Sequence, residues 1–448
     1  MLRFHSPLTL GFLALFATPL AAESESPDYV PEPGQFAPIE RAHHLMGELV
    51  FVDPVNRLGA IRLGGNGTSD PYHRAEPHRF AMLPYGTIRY QGAPAELRDV
   101  PIGTVLHGWF FLAPEGDTTV PRPPQGKDKH FRPYTHCVAL EDHSSYCQSR
   151  GLTWKISAIE LSWEKGSKKH PDFPASAEEG QGDWRKLHFP RGKLRAVRSG
   201  NETEDGLEGD QVFTIDRSTR LWRGRENVEW EDLAPAENWE SDLQQGQRIL
   251  NLADGPEVTM NLTWSEYWEY GRFHVSDIWL DEESRANAAE LQRRRHVHHM
   301  EFRWLPAYVD EVEHLGNGRG LVTATLFGGM APALYEPFLE GERQTQIVKA
   351  ASAENTLRTW WQDHDGIDGS IQSVSVEKNP PHGSSGIQLR IEVRRVLEGF
   401  RPTRVIRIRA HHWPNVKLPP EERVKGMEER IPDTFQPRQA PSQTPKNS

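Results

Sequence analysis

Apolar, aromatic and β-branched residues gather in short strand-length runs along this chain, some alternating with polar residues at a period of two, separated by turn-forming residues. Gly47 to Val52 begins a strand, Asp53-Pro54-Val55-Asn56-Arg57 reverses it, and Leu58 to Leu63, Phe80 to Tyr90, Val105 to Leu112 and Thr153 to Trp163 follow. Further runs are Leu194 to Val197, Gln211 to Ile215, Arg220 to Trp222, Arg248 to Leu252 and Val258 to Trp264. The last third adds Tyr308 to Glu313, Gly320 to Phe327, Gln344 to Ala350, Ile371 to Val376, Gln388 to Val396 and Val405 to Ala410. A period of two puts alternate side chains on opposite faces, so each run predicts a half-buried strand.

One segment breaks this rule. Ala288, Leu291, Arg295, His298 and Phe302 follow at spacings of three and four after Asp281, a good N-cap residue, and Pro306 stands at the far end. The spacing predicts one long helix over residues 281–303 that connects the middle of the chain to its last part.

Short phrases recur along the strands. Asp99-Val100 is followed by Gly103 and Leu106, Asp242-Leu243 by Gly246 and Ile249, Phe338 by Gly341, and Phe400 by Thr403 and Ile406. A second phrase occurs twice, as Thr87-Ile88-Arg89-Tyr90-Gln91-Gly92 and Thr219-Arg220-Leu221-Trp222-Arg223-Gly224. Glycines at such places allow the positive φ of tight reversals between antiparallel strands. The intervals are unequal, which argues against a solenoid or propeller and for separate small barrels.

The Thr-x-x-aromatic-x-Gly and Asp-apolar-x-x-Gly phrases, within Phe80 to Leu112 and Phe213 to Leu252, resemble those of exported bacterial proteins of unknown function built from repeated small OB-like β-barrels. That resemblance implies architecture and carries no catalytic residue across. The fold class is therefore mainly β, with two or three small OB-like antiparallel barrels and one connecting helix. The expected order is a signal peptide (1–22), a flexible leader (23–46), a first barrel with a disulfide-bearing extension (47–163) and a linker or long loop (164–192). A second barrel (193–280), the helix (281–305), a C-terminal β domain (306–418) and a disordered tail (419–448) complete it.

The first segment sets the compartment. Arg3, the apolar stretch Leu8 to Leu20 and the small residues Ala21-Ala22 form the pattern of a cleavable secretory signal, too short for a membrane span. Export places the protein in the periplasm or outside the cell. There, Cys137 and Cys147, the only two cysteines, are expected to pair as a disulfide. A metal site using both with His136 and His143 is the competing reading.

A net charge of −11 argues against a nucleic-acid partner, which needs phosphate neutralisation by basic side chains. No later segment is apolar enough to span a membrane. No Gly-x-Ser-x-Gly elbow, His-Glu-x-x-His, Walker loop or dinucleotide fingerprint occurs.

Three clusters carry candidate chemistry. Within the basic run Arg293 to His299, His296 and His299 at i,i+3 could share a helix face and hold a metal ion or an anion, although a solvated helix face explains the same residues. Asp363, Asp365 and Asp368 space three carboxylates through a Gly-containing loop, as a calcium site requires, but Ile367 and the missing closing Glu depart from the EF-hand pattern. Fourteen Trp residues are present, and Trp264, Tyr267, Trp268 and Tyr270 are the candidates for stacking on sugar rings, with core packing as the competing explanation.

No cofactor is required by any of this, calcium excepted. The reading is an exported, non-enzymatic β-barrel protein with a binding or structural envelope role and a glycan or envelope component as partner. The alternative is an extracytoplasmic hydrolase or carbohydrate-binding protein acting on polysaccharide.

Overall fold

A computed structural model of the protein describes residues 28–63, 77–121, 132–162, 191–200, 207, 209–242, 247–264, 273–339, 347–352, 367–397, 399–410 and 413. The first barrel consists of β1 (His43–Asp53), β2 (Leu58–Leu63), β3 (His78–Tyr90), β5 (Val105–Leu112) and β6 (Tyr134–Asp142), with β4 (Ala93–Pro94) forming a hairpin on β3. β1 pairs antiparallel with β2 and β5, β2 with β3, and β5 with β6. Parallel pairing of β3 with β6 closes the ring. This is the OB arrangement, in which the third and last barrel strands run side by side in the same direction. Leu49, Ile61, Phe80, Leu106, Phe110 and Leu140 fill the interior.

The second barrel repeats that plan. It follows α1 (His143–Ser149) and is made of β7 (Thr153–Ser162), β8 (Arg191–Ser199), β9 (Asp210–Ile215), β10 (Arg220–Arg223), β14 (Glu257–Trp264) and β15 (Phe273–Trp279). β9 and β10 are two halves of one barrel edge, and both pair parallel with β15. β7 was expected in the first domain, yet it pairs with β8 and β14 and buries Trp154, Ile156, Ile159 and Leu161 in the second core. Its alternation shows that one face is buried, not which barrel buries it. Between β10 and β14 the chain adds β11 (Glu226–Val228), β12 (Trp239–Asp242) and β13 (Gln247–Asn251).

The repeat is real and longer than the phrases suggest. Thr87 to Gly92 ends β3 in a two-residue turn, with Gln91 at φ 53° and Gly92 at φ 77°, both in the left-handed region. Thr219 to Gly224 ends β10 in the corresponding β10–β11 hairpin. Each is followed by a 3-10 turn closed by a capping box, Glu96 with Asp99 and Glu229 with Asp232. The phrase at Asp242 is not part of this correspondence: Asp242 ends β12 and Ile249 lies in β13, strands that extend the edge of β7, with Leu243 and Gly246 outside the described residues. Phe338 lies in α3 (Glu336–Leu339), and Gly341 lies outside the described residues.

α2 (Glu282–Arg303) occupies the span its spacing predicts, and the Asp281 side chain accepts from the Ser284 backbone N–H as its N-cap. Trp304, at φ 67°, ends it, and Pro306 sits inside the next strand instead of serving as the stop. Ala289, Gln292, His296 and Met300 form its buried stripe. The third barrel is β16 (Leu305–Gly316), β17 (Arg319–Phe327), β18 (Ile347–Ser352), β19 (Ile367–Val376), β20 (Ser384–Val393) and β21 (Val405–Ala410). Its closed order is β16-β17-β20-β19-β18-β21, antiparallel throughout, so it is a barrel of another topology.

The barrels share cores. Phe36, Tyr85, Tyr308 and Phe327 meet edge-on between the first and third barrels, with ring centroids 4.8 to 6.2 Å apart. Phe36 and the buried Ala37 belong to the segment expected to be a flexible leader; its part from 28 onward packs along this seam instead. Gly383 (φ 85°) also lies there, and a Cβ on it would stand 2.5 Å from the Tyr85 ring. Between the first and second barrels, Thr104 bridges to Thr263 and Val105 enters the second core. No helix among the described residues is long and apolar enough to cross a membrane.

Candidate functional site

The densest polar constellation lies where the first barrel meets the second. Leu106 and Phe110 on β5 point into the first barrel, so His107 and Trp109 point outward, toward α1 and the wall of the second barrel. α1 begins directly after β6 because Asp142 caps it. The Asp142 carboxylate accepts from the Ser145 backbone N–H (3.0 Å), the Ser144 hydroxyl (2.8 Å) and the Gln91 backbone N–H (3.1 Å). The cap thereby ties α1 to the turn that ends β3. Burial pushes the Asp142 carboxyl above its ordinary range, opposed by these hydrogen bonds.

Three imidazoles and a thiol stand in a row beside it. His44 Nε2 lies 3.3 Å from His107 Nδ1, His107 Nε2 lies 3.1 Å from His143 Nδ1, and His143 Nε2 lies 3.4 Å from Cys147 Sγ. The indole N–H of Trp154, on β7, donates to the same His143 Nε2 at 3.2 Å. An indole nitrogen can only donate, so His143 Nε2 carries no proton and its Nδ1–H donates to His107. The same logic makes His107 donate from Nδ1 to His44. A single donor on the second barrel thus orients the tautomers of three rings on the first.

The row is sealed. His107 and His143 have no solvent exposure, and Cys147 has 1%. Burial, reinforced by His143 and His44, holds His107 well below the ordinary histidine range. Tyr146 stacks on His107 at 3.8 Å, and Arg150 covers Tyr146 at 3.8 Å while pairing with Glu141 at 3.1 Å. Only half-buried His44 lies toward the surface.

A second line occurs at one end of the second barrel. Thr263 Oγ1 lies 3.0 Å from His274 Nδ1, and His274 Nε2 lies 3.1 Å from the Asp216 carboxylate. Burial alone would raise the Asp216 carboxyl, but hydrogen bonds from His274 and Ser218 prevail and hold it far below its usual range. Asp216 opens the corner between β9 and β10, where Thr219 Oγ1 also donates to the Val275 carbonyl at 2.7 Å. The line therefore clamps that corner to β15.

The residues singled out in the sequence have different fates. Cys137 and Cys147 are both free thiols, not a disulfide. Cys137 points into the first barrel's interior, where its thiol donates to the Ala139 carbonyl and burial pushes it well above the ordinary thiol range. Cys147 packs outside that barrel's wall with Tyr146 and Leu152. His136 and His143 do not join them at a metal: His136 pairs with Asp117 at 3.2 Å.

Trp264 is a core residue, edge-on to Phe273, and Tyr267, Trp268 and Tyr270 lie outside the described residues. His296 is buried against the first barrel while His299 lies between two arginines, so the i,i+3 pair does not converge on a common ligand. Asp363 and Asp365 lie outside the described residues, and Asp368 stands in β19 opposite Lys349. Among the described residues, no group of three or more His, Cys, Asp or Glu side chains could hold a metal ion.

Sequence reasoning missed the row as a unit. His44, His107 and Trp154 are separated by long intervals, and only the Asp142-x-x-Ser145 cap next to His143 gives a local signal. Comparison of the chain with protein-family models, with curated proteins and with solved structures gives no match.

Proposed function

We propose that this is an exported, non-enzymatic binding protein of the cell envelope, a fixed three-barrel body that holds an envelope component, a glycan foremost, without converting it. The observation that carries the reading is the sealed histidine row. The Cys147–His143 pair has the atom types of a nucleophile and its base, yet it faces indole, tyrosine and barrel wall and offers no opening to a substrate. Its hydrogen bonds are spent on joining two barrels. Asp277, the buried carboxylate of the second barrel, is likewise committed, to Arg220 at 2.9 Å and to the Trp222 indole at 3.0 Å. Binding along the outer face of OB strands is a recurrent use of the fold, and the two OB barrels support a binding role by that analogy.

The test is a glycan array with the mature protein, followed by incubation of any retained glycan and analysis of its length. Retention of an unshortened glycan is the expected result. Release of shortened chains would replace this reading with the hydrolase, which the hydroxyl–imidazole–carboxylate line of Thr263, His274 and Asp216 favours. In that case Thr263→Val would abolish release.

A further inference from the structure

His299 occupies a chemically frustrated position where the first barrel, the end of α2 and the third barrel meet. The Arg98 guanidinium, from the 3-10 turn of the first barrel, lies 3.4 Å from His299 Nδ1. The Arg303 guanidinium, one helical turn further along α2, lies 3.3 Å from His299 Nε2. A guanidinium only donates, and a neutral imidazole has one lone pair for two ring nitrogens. One of these contacts must therefore set a donor against a donor. Arg407, on β21 of the third barrel, donates to the Arg303 backbone carbonyl at 2.8 Å and adds a third positive charge to the same corner. Burial and then the charges of Arg303 and Arg98 hold His299 down at about 3.

Among the described residues, the nearby Asp99 carboxylate is turned to other donors. Asp99 accepts from the Glu96 backbone N–H at 2.9 Å and from the Gln292 side chain at 3.3 Å, two turns earlier on α2. Glu96 and Asp99 act on His296, not on His299. In a chain with net charge −11, three guanidiniums around one imidazole make a local reversal of sign. The corner is also reachable, because Arg98 is exposed and His299, Arg303 and Arg407 are only half-buried.

We propose that Arg98, His299, Arg303 and Arg407 form a binding site for a tetrahedral oxyanion, a phosphate or sulfate group that is either free or the end of a larger ligand. Such a group supplies only acceptors, so it takes N–H bonds from the guanidiniums and from whichever imidazole nitrogen is protonated, and the opposed donors acquire a partner. The bound anion also favours the imidazolium. The site joins the first barrel, α2 and the third barrel, so its occupant ties them together. This inference goes beyond the glycan-binding reading and does not depend on it.

The test is titration calorimetry of the mature full-length protein with sodium phosphate, in chloride of constant ionic strength, at pH 7.5 and 6.0. The expected result is one saturable site that weakens at pH 6.0, where phosphate has lost charge while His299, held at about 3, stays neutral. Arg98→Gln, on an exposed side chain, should weaken it at least tenfold, and Arg303→Gln should do the same. Arg294→Gln, outside the cluster, should leave it unchanged. Tighter binding of glucose 6-phosphate than of phosphate would assign the group to a larger ligand, and equal binding would assign it to the free ion. Absence of saturable binding by the unaltered protein, or equal binding by folded Arg98→Gln, would overturn the proposal.

Discussion

The indole N–H of Trp154 and Nε2 of His143 meet at 3.2 Å across the boundary of the first two barrels, and that contact sets the proton positions of His143, His107 and His44 in turn. Trp154→Phe removes this donor together with part of a fully buried ring, so the lost hydrogen bond adds to a packing loss. The bond's share of the cost is about 1–3 kcal/mol, since a buried acceptor loses its strong partner. Urea denaturation measures the whole. A variant as stable as the parent would show that the barrel boundary does not depend on the contact.

Both thiols are free and buried, so their reactivity should report global unfolding. Intact mass should not change on reduction. A thiol-specific alkylating reagent should label neither cysteine in the folded protein within minutes and both in denaturant. Loss of two hydrogens in the native mass would restore the disulfide.

The helix caps Asp142 and Asp281 hold equivalent positions after the last barrel strand of each OB unit, and each also binds the turn that ends the third strand, through Gln91 N–H and Gly224 N–H. Their surroundings differ, because Asp142 is fully buried and Asp281 is partly exposed. Asp281→Ala should cost roughly 1 kcal/mol, the usual worth of a cap. Asp142→Ala should cost more, since three buried donors lose their acceptor. Equal effects in thermal melts would refute this ordering.

Acid should destabilise the protein through its buried histidines. Burial lowers His78 to about 4, and it lowers His107 and His296 as well. A histidine whose folded pKa is depressed binds fewer protons in the native state than in the unfolded one. Its contribution is whole above the unfolded value near 6.5 and is lost as pH falls toward the folded value, about 4 for His78. Urea midpoints should therefore be level between pH 7 and 8 and decline steadily from pH 6.5 to 4.5. His78→Gln should flatten part of that decline.

Period and punctuation in the chain suffice for most of the strands, for α2 with its Asp281 cap, and for the turns at Gly92 and Gly224, because each depends on residues only a few positions apart, but they give no sign of β15, which closes the second barrel. They also indicated compact β-barrels. They put β7 in the first domain, give no sign that the third barrel differs in topology from the first two, and leave Trp264 between core and ligand face, because alternation reports that a face is covered and not what covers it. An export signal and only two cysteines predict that Cys137 pairs with Cys147, yet a barrel wall separates their side chains. His44 reaches His107 across 63 positions, and Arg98 reaches His299 across 201. Only strand register and the docking of α2 bring such residues together, and both are set by the summed packing of the barrels, which no local spacing encodes.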